Sequence, residues 1–391
     1  MKIILVHNKY QQAGGEDLVF QSEGTLLAEH GHQVEYVVFD NKEIKTSLDK
    51  WLSGISVLYN PWSSQRLQRK IEAFHPDVIH VHNFFPLASP SIFYAAKKYN
   101  IPVVVTLHNY RLICPSASLF FDNSIYEKSI HSPFPLDAIL TGVYRNSRFQ
   151  TAAIVATTRL HNRLGTWRDK VDKFIVLTKF AGNRFKDSIL KVSPDAFVVK
   201  PNFVVDYGLG QSDREEFFLY VGRLSVEKGV VTLLESTKFY RYNLVIIGDG
   251  PSRNLVEKEA VTNTQIKYLG FQPKEVIMNY LKKCKALLLP SKWYEGMPMI
   301  MLEAFSTGTP VIASRLGAME EMVQHNCNGL HFNPGDPKDL ADKVQQADTQ
   351  PDFVKKLSQQ ARESYTTHYT PQINYTILKD IYAQVLLKGK R

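Results

Sequence analysis

Short apolar runs rich in valine, isoleucine and leucine alternate with longer stretches of helical period along most of the chain. Such runs, bounded by turn-forming residues and separated by amphipathic segments, are the pattern of βαβ units that build parallel sheets. In the first half, strands are expected at residues 2–6, 34–39, 77–81, 103–107, 173–177 and 197–200, with helices between them, for instance at 17–29 and 91–98. The pattern then restarts. FFLYVGRL (217–224), NLVIIGDG (243–250), IKYLGF (266–271), KALLLPS (285–291) and TPVIAS (309–314) are five further buried-strand candidates, each followed by a turn or helical segment. Between the two series, NFVVDYGLGQSDREE (202–216) has little periodicity and reads as an interdomain linker.

The expected fold class is therefore α/β, with two doubly wound Rossmann-like domains, residues 1–205 and 206–372, facing each other across a cleft. Ligands are expected at the carboxyl ends of the strands. In residues 373–391, Ile377, Ile381, Tyr382, Val385 and Leu386 form one apolar helical face, and this helix is expected to pack back on the N-terminal domain.

Composition agrees with two domains, because 391 residues at 44% hydrophobic can bury two cores at about 100 to 200 residues each. The cysteines, Cys114, Cys284 and Cys327, form no CxxC pair and no disulfide ladder, which fits a reducing, cytoplasmic setting. The N-terminal apolar run is too short for a signal-peptide core, and no later run nears the roughly 18 apolar residues of a membrane span. The net charge of +9 is local: residues 143–200 hold 12 basic and 4 acidic residues, so a partner for the excess should be local too.

Candidate chemistry gathers at the strand ends of the second series. The stretch WYEGMPMIMLEAF (293–305) carries two carboxylates in an apolar setting, Glu295 and Glu303. With Pro298 in the first turn of a helix and Gly296 giving a tight approach from the preceding strand, Glu295 falls in the loop and Glu303 within the helix, about 7 to 8 Å along the axis. Free backbone N–H groups at the helix start suit an anion, and carboxylates suit sugar or ribose hydroxyls. Taken singly, both glutamates read equally as ordinary surface charges. GRLSVEKG supplies Arg223 and Lys228 after the first strand of this series, a pair that would repel without an anion between them. IIGDGP ends another strand; Gly248 and Gly250 either let backbone approach a base or phosphate, or make a tight turn.

These residues resemble the signature series of the family four retaining, nucleotide-sugar-dependent glycosyltransferases, which have the GT-B fold. The resemblance rests on Gly222, Arg223 and Lys228, on Gly248-Asp249-Gly250-Pro251, and on Pro290-Ser291 with Glu295-Gly296-Met297-Pro298 and Glu303-Ala304. Glu295 and Glu303 match that family's E-x₇-E spacing. AGGED (13–17) is similar to its N-terminal glycine loop, TLHNYR (106–111) to its central histidine segment, and KPNFVVD (200–206) to the motif entering the linker. Two residues depart from the pattern: Asn109 stands where many relatives have aspartate, and Phe203 where the linker motif usually has glycine.

The resemblance implies that Arg223 and Lys228 hold the diphosphate and stabilise its leaving charge, and that Glu303 accepts hydrogen bonds from the ribose. It implies that Glu295 contacts the donor sugar, with Gly222, Gly248, Gly250, Pro251, Gly296 and Met297 around the donor. Gly14 and Gly15 would close over the phosphates, and His108 would face the donor sugar near the reacting centre. Departure of the nucleoside diphosphate builds negative charge that fixed cations stabilise in the transition state. No D-x-D occurs in the chain, so neither metal nor other cofactor is expected, and Arg223 with Lys228 replaces the metal. With no evident carboxylate nucleophile, retention is expected by attack on the face the diphosphate leaves. Glu16 is a candidate acceptor-side base, or else a capping acid at the start of its helix.

The acceptor is expected to meet the N-terminal domain. Residues 144–168 carry Arg145, Arg148, Arg159, Arg163 and Arg168 with interspersed Tyr144, Phe149 and Trp167, a pattern suited to anionic headgroups or a lipid-diphosphate acceptor. The alternative is a solvated helix with a core stripe at Ile154, Val155 and Leu160. Phe84 and Phe85 are either exposed beside the same site or buried. The expected activity is retaining, metal-independent hexosyl transfer from a nucleotide sugar, UDP- or GDP-linked or similar, to a glycan or lipid-linked acceptor. Its expected setting is bacterial cell-surface polysaccharide synthesis, at the cytoplasmic face of the inner membrane. The competing readings are a non-catalytic sugar-nucleotide-binding subunit and a nicotinamide oxidoreductase with Asp40 on the ribose; the latter lacks G-x-G-x-x-G after the first strand. A nucleic-acid partner is opposed by the acidic Glu295/Glu303 pair.

Overall fold

The computed structural model describes residues 1–9, 14–41 and 56–388, which form two compact units. The first comprises Met1–Phe121, Tyr126–Pro201 and Asn374–Arg391, and the second Asp122–Ile125 and Asn202–Ile373.

The first unit is built on six parallel strands, β1 (Lys2–Lys9), β2 (Gln33–Asp40), β3 (Val78–Val81), β4 (Val103–Leu107), β5 (Lys173–Val176) and β6 (Phe197–Val199), in the order β2-β1-β3-β4-β5-β6. Leu5 of β1 lies opposite Tyr36 on one side and His80 on the other. Helices α1 (Gly15–Glu29), α2 (Pro61–Phe74), α3 (Ser91–Lys98), α4 (Arg148–Arg163) and α5 (Lys179–Lys186) connect the strands. α1 starts two residues earlier than its periodicity predicts. Its N-cap is Gly14, whose N–H donates to the Asp17 carboxylate at 2.8 Å, so the capping acid is Asp17 rather than Glu16.

The second unit repeats the plan with β7 (Phe218–Val221), β8 (Leu244–Ile247), β9 (Ile266–Tyr268), β10 (Leu287–Leu289), β11 (Val311–Ser314) and β12 (Gly329–Phe332), ordered β9-β8-β7-β10-β11-β12 and all parallel. This is the Rossmann order, whose strand direction of progression reverses between β7 and β10, and that reversal opens a crevice at the strands' carboxyl ends. Its helices include α6 (Val230–Ser236), α7 (Arg253–Thr262), α8 (Lys274–Leu281), α9 (Met299–Ser306), α10 (Pro337–Thr349) and α11 (Pro351–His368). The sixth strand, GLHF, has no counterpart among the strands read from the sequence. Four residues with a histidine among them give too little pattern, yet all four are buried.

A final helix, α12 (Pro371–Lys388), buries Leu378, Ile381, Tyr382 and Val385 against Ile3, Leu5, Phe20, Val78, Val104 and Ile175 of the first unit. Leu378, not Ile377, belongs to its central buried stripe; Ile377 packs at the margin.

Candidate active site

In the second unit, the loops that leave β7 and β10 meet at the switch point. Gly229 ends the β7 loop at φ +72°, and a Cβ there would lie 1.8 Å from the Pro290 carbonyl oxygen, so only glycine lets the two loops touch. Gly248, after β8, has φ +146° and would place a Cβ 1.9 Å from the Gly222 oxygen, while a Cβ on Gly250 would press on Leu224. These two glycines therefore serve loop-on-loop packing, the structural side of the choice left open by the sequence. The Lys292 N–H donates to Glu227 O at 2.8 Å, and the Tyr220 hydroxyl donates to Arg223 O at 2.8 Å, so the β7 loop is anchored at both ends.

That packing brings Lys228 and Glu295 together. The Lys228 ammonium donates to both carboxylate oxygens, at 2.7 and 2.9 Å, and the Ser291 hydroxyl donates to Oε1 at 2.6 Å. Burial alone would raise the Glu295 carboxyl, but the Lys228 charge with the Lys228 and Ser291 hydrogen bonds brings it below its ordinary value. Lys228 also lies over the Trp293 ring at 5.3 Å. Lys228 is thus compensated by Glu295, which revises the expectation of an uncompensated cation pair. Arg223 is exposed, and no ion pair reaches it among the described residues. Gly222 and Gly296 are half-buried in the same loops, and Pro251 is exposed in the turn before α7. Met297 is buried and its sulfur accepts the Asn202 N–H at 3.2 Å, so it anchors the start of the linker rather than standing open to a ligand.

α9 begins at Met299 with Pro298 as its N-cap, one position outside the expected first turn. Glu303 is buried on this helix and paired with Lys274 at the start of α8. Burial is the stronger influence there and raises its carboxyl above the usual range despite the Lys274 charge. Glu295 and Glu303 are therefore perturbed in opposite directions.

In the first unit, His108 follows β4 and is half-buried, with its Nε2 3.1 Å from His82 Nδ1. His82 Nε2 lies 3.4 Å from Glu23 Oε1, and Lys200 donates to Glu23 Oε2 at 2.7 Å. His80 completes the cluster, its Nδ1 2.7 Å from the Tyr382 hydroxyl and its Nε2 2.7 Å from that of Thr106. Burial, reinforced by neighbouring histidines, lowers His82 to about 4 and His108 well below the ordinary imidazole value, so both are neutral near pH 7. Glu23 would be raised by burial, but Lys200 and the two histidines hold it well below the carboxylate range.

Glu23, His80 and His82 each bring a ligand atom within 4.8 Å of the others. Their present partners suit no metal: the Lys200 ammonium sits on Glu23, and hydroxyls meet both His80 nitrogens. Sequence reading missed this cluster. Its signals were the His-x-His spacing from β3 into the residue that follows it, which puts both rings on one face, and a glutamate at a core-facing position between Phe20 and Leu27.

Gly14 and Gly15 are exposed at the start of α1, and Glu16 is half-buried in its first turn. Ala13, the first residue of the AGGED motif, lies outside the described residues. Asn109 accepts the Arg111 N–H at 3.1 Å, a turn-capping role that an aspartate would fill equally. Phe84 and Phe85 are buried.

Of the five arginines in the segment expected to meet acceptor or membrane, Arg168 is exposed and paired with Asp169, while Arg159 is buried and donates to the carbonyls of Leu112, Ile113 and Ser129, at 3.4, 3.3 and 2.7 Å. It braces the loop after β4 and is unavailable to a lipid. Arg145, Arg148 and Arg163 are exposed. Trp167 is core, whereas Phe149 and Leu160 are exposed, so Leu160 does not belong to the stripe of Ile154 and Val155. Cys114 is a packed thiol, its acidity weakened by burial.

Residues 14–205 match the family described as Glycosyltransferase Family 4, and residues 208–364 match Glycosyl transferases group 1. An uncharacterized glycosyltransferase of Methanocaldococcus jannaschii is 26% identical over 372 residues, covering 93% of each chain. Alpha-D-kanosaminyltransferase of Streptomyces kanamyceticus is 23% identical, over 86% of this chain and 83% of that one. Among solved structures, Anabaena HepE in complex with UDP and glucose superposes with a TM-score of 0.66 at 18% identity, covering 97% of this chain and 98% of that one. A Rickettsia africae glycosyltransferase gives 0.71 at 16% identity, covering 98% of each. Taken together, the two family matches span nearly the whole chain, which belongs to the group 1 glycosyltransferases and has their GT-B fold of two Rossmann-like units.

Proposed function

We propose that this chain transfers a sugar from a nucleoside-diphosphate sugar to a glycan or lipid-linked acceptor, with retention at the anomeric carbon and without a metal. The observation that carries the reading is the Lys228–Glu295 pair at the switch point of the second sheet, beside exposed Arg223. A diphosphate arriving there meets two cations at the carboxyl ends of parallel strands, where α/β sheets bind ligands. HepE, of the same fold, holds UDP and glucose.

In this reading Lys228 exchanges part of its hold on Glu295 for the β-phosphate, and Arg223 offers a planar fork to the phosphate oxygens. Both stabilise negative charge as it grows on the leaving group, so they favour the transition state over the ground state. Glu295, released in part from Lys228, accepts from a donor-sugar hydroxyl. Glu303 accepts from the ribose. The leaving phosphate oxygen takes the acceptor's proton as the acceptor attacks the face being vacated. Membership of the glycosyltransferases sets aside the oxidoreductase reading.

The acceptor is assigned to the first unit, where exposed Arg145, Arg148 and Arg163 accompany exposed Phe134, Leu136, Leu140 and Phe149, on α4, on the short helix Leu136–Thr141 and in the turns beside them. Cations beside apolar side chains suit an acceptor presented at an anionic lipid surface. No described helix is long and apolar enough to cross a membrane. The double variant Arg148→Glu/Arg163→Glu should weaken partition onto phosphatidylglycerol vesicles by about 30-fold at low salt, at about 1 kcal/mol per basic residue, read by sedimentation. Unchanged sedimentation would move the acceptor surface elsewhere.

The primary test is a thermal-shift panel of nucleoside diphosphates and nucleotide sugars, followed by transfer assays with the donors that bind. A shift with at least one nucleoside diphosphate and a product of retained anomeric configuration, formed in the presence of EDTA, are the expected results. Absence of any shift would overturn the donor reading. An inverted product would overturn retention, and activity lost to EDTA would overturn metal independence. Binding without transfer or donor hydrolysis would favour the non-catalytic subunit.

A further inference from the structure

The family resemblance leads to the expectation that His108 faces a donor sugar but leaves open which ring nitrogen carries its proton, and the buried cluster behind it decides. Glu23 is held ionised by Lys200, whose ammonium sits on Oε2 at 2.7 Å with both side chains about 1% exposed. An ionised carboxylate only accepts hydrogen bonds. Oε1 lies 3.2 Å from His80 Nδ1 and 3.4 Å from His82 Nε2, contacts too poorly aligned to be hydrogen bonds, but its buried negative charge still favours a proton on the His82 nitrogen that faces it, Nε2. A neutral imidazole carries one proton, so His82 Nδ1 is left as a lone pair. The group facing that lone pair is His108 Nε2 at 3.1 Å. Two lone pairs at that separation would repel, and the contact is favourable only when His108 carries its proton on Nε2.

We infer that Glu23 is a positioning residue that acts through His82: it fixes the proton on His108 Nε2, so that His108 Nδ1 is left unprotonated. The chain of contacts runs from Lys200 to Glu23, His82 and His108, within one unit. The tautomer of a histidine is set by the hydrogen bond one of its nitrogens makes, and here that bond joins His82 to His108 with its direction set by the Glu23 charge behind it. The consequence rests on the expectation, drawn from the resemblance, that His108 faces the donor sugar. A neutral ring offering a lone pair accepts from a sugar hydroxyl and does not repel the positive charge that grows on the sugar as the diphosphate departs.

Histidine-selective ¹³C/¹⁵N labelling of the full chain tests this directly, because long-range ¹⁵N–¹H spectra report which nitrogen of each ring carries the proton. The His108→Gln spectrum assigns the His108 signals. In the wild type, His108 and His82 should both be protonated on Nε2. In Glu23→Gln, the amide can turn either its oxygen or its NH₂ group to His82, and His108 should become a mixture of tautomers. Turnover should fall roughly tenfold with the donor KM unchanged.

A wild-type His108 protonated on Nδ1 would overturn the inference, as would a pure Nε2–H tautomer in folded Glu23→Gln. Should Glu23→Gln fail to fold with Lys200 unpaired, the double variant Glu23→Gln/Lys200→Met removes both charges and gives the same two outcomes. The tautomer is read without turnover. A chain that binds no nucleotide sugar would therefore remove the proposed function and leave this inference standing. A mixed tautomer in an active wild type would remove the inference alone.

Discussion

Each unit contains a lysine–glutamate pair with a nitrogen–oxygen distance of 2.7 Å, Lys200 with Glu23 in the first and Lys228 with Glu295 in the second. Their side-chain exposures differ: 1% and 1% for the first pair, 26% and 8% for the second. Equal geometry thus serves two opposite purposes. The first pair is sealed under α12 side chains and two histidines, out of reach of water or ligand, and holds its charges in place. The second stands where water or a ligand can reach the lysine, so its bond can be exchanged. A buried pair is costly to break because the surviving charge stays desolvated, whereas an accessible one is cheap to break.

The largest expected effect comes from breaking the sealed pair. Lys200→Ala leaves Glu23 charged and unpaired, and should destabilise the first unit by roughly 3 to 5 kcal/mol. For a unit of this size that is a fall of about 10 °C in its melting transition, read by calorimetry. A shift below about 2 °C would mean that the pair is not the buried constraint described. Lys228→Ala should do the reverse. Its melting transition should move by only a few degrees, since Ser291 still donates to Glu295, while kcat falls by about two orders of magnitude or more through loss of a transition-state donor. Turnover near that of the wild type would remove Lys228 from the mechanism and dissolve the contrast between the two pairs.

What could be read in advance follows the same division. Repeated apolar runs reveal parallel strands because both faces of such a sheet are covered, and among the described residues eleven of the twelve strands in the two parallel sheets announce themselves in this way. The twelfth, GLHF, is too short to carry a period. Candidate residues stand out in the sequence where glycine and charge fall in a recognisable spacing, as at Arg223, Lys228, Glu295 and Glu303, and the structure pairs Lys228 with Glu295. Glu23 and Lys200 were not, because 177 residues separate them along the chain and each looks like an ordinary helical or terminal charge. Arg159 misled for a related reason. Its three backbone acceptors lie in segments 30 to 47 residues away, and a sequence cannot display a contact made by folding.

The smallest effect sharpens the comparison within the second unit, between the two glutamates of one loop and helix. Glu295 has its carboxyl lowered in the folded protein, and Glu303 has its raised. A lowered carboxyl contributes stability above the unfolded value of about 4.3, and that stability is lost as pH falls through the folded value. Glu295→Gln should therefore lower the melting temperature at pH 7, with the difference shrinking in acid. A raised carboxyl works in the other direction: its ionised form costs stability once pH exceeds the folded value. Glu303→Gln should then raise the melting temperature of the ligand-free protein at pH 7 by about 3 °C, or about 1 kcal/mol, with Lys274 left partly in water. That gain should vanish toward pH 4, where the native Glu303 is already protonated. Donor affinity should fall in the same variant, because the charge that costs stability is the one proposed to meet the ribose. Melting curves of both variants from pH 4 to 8 decide the matter: shifts of the same sign at pH 7 would contradict the opposite environments that the structure gives the two carboxylates.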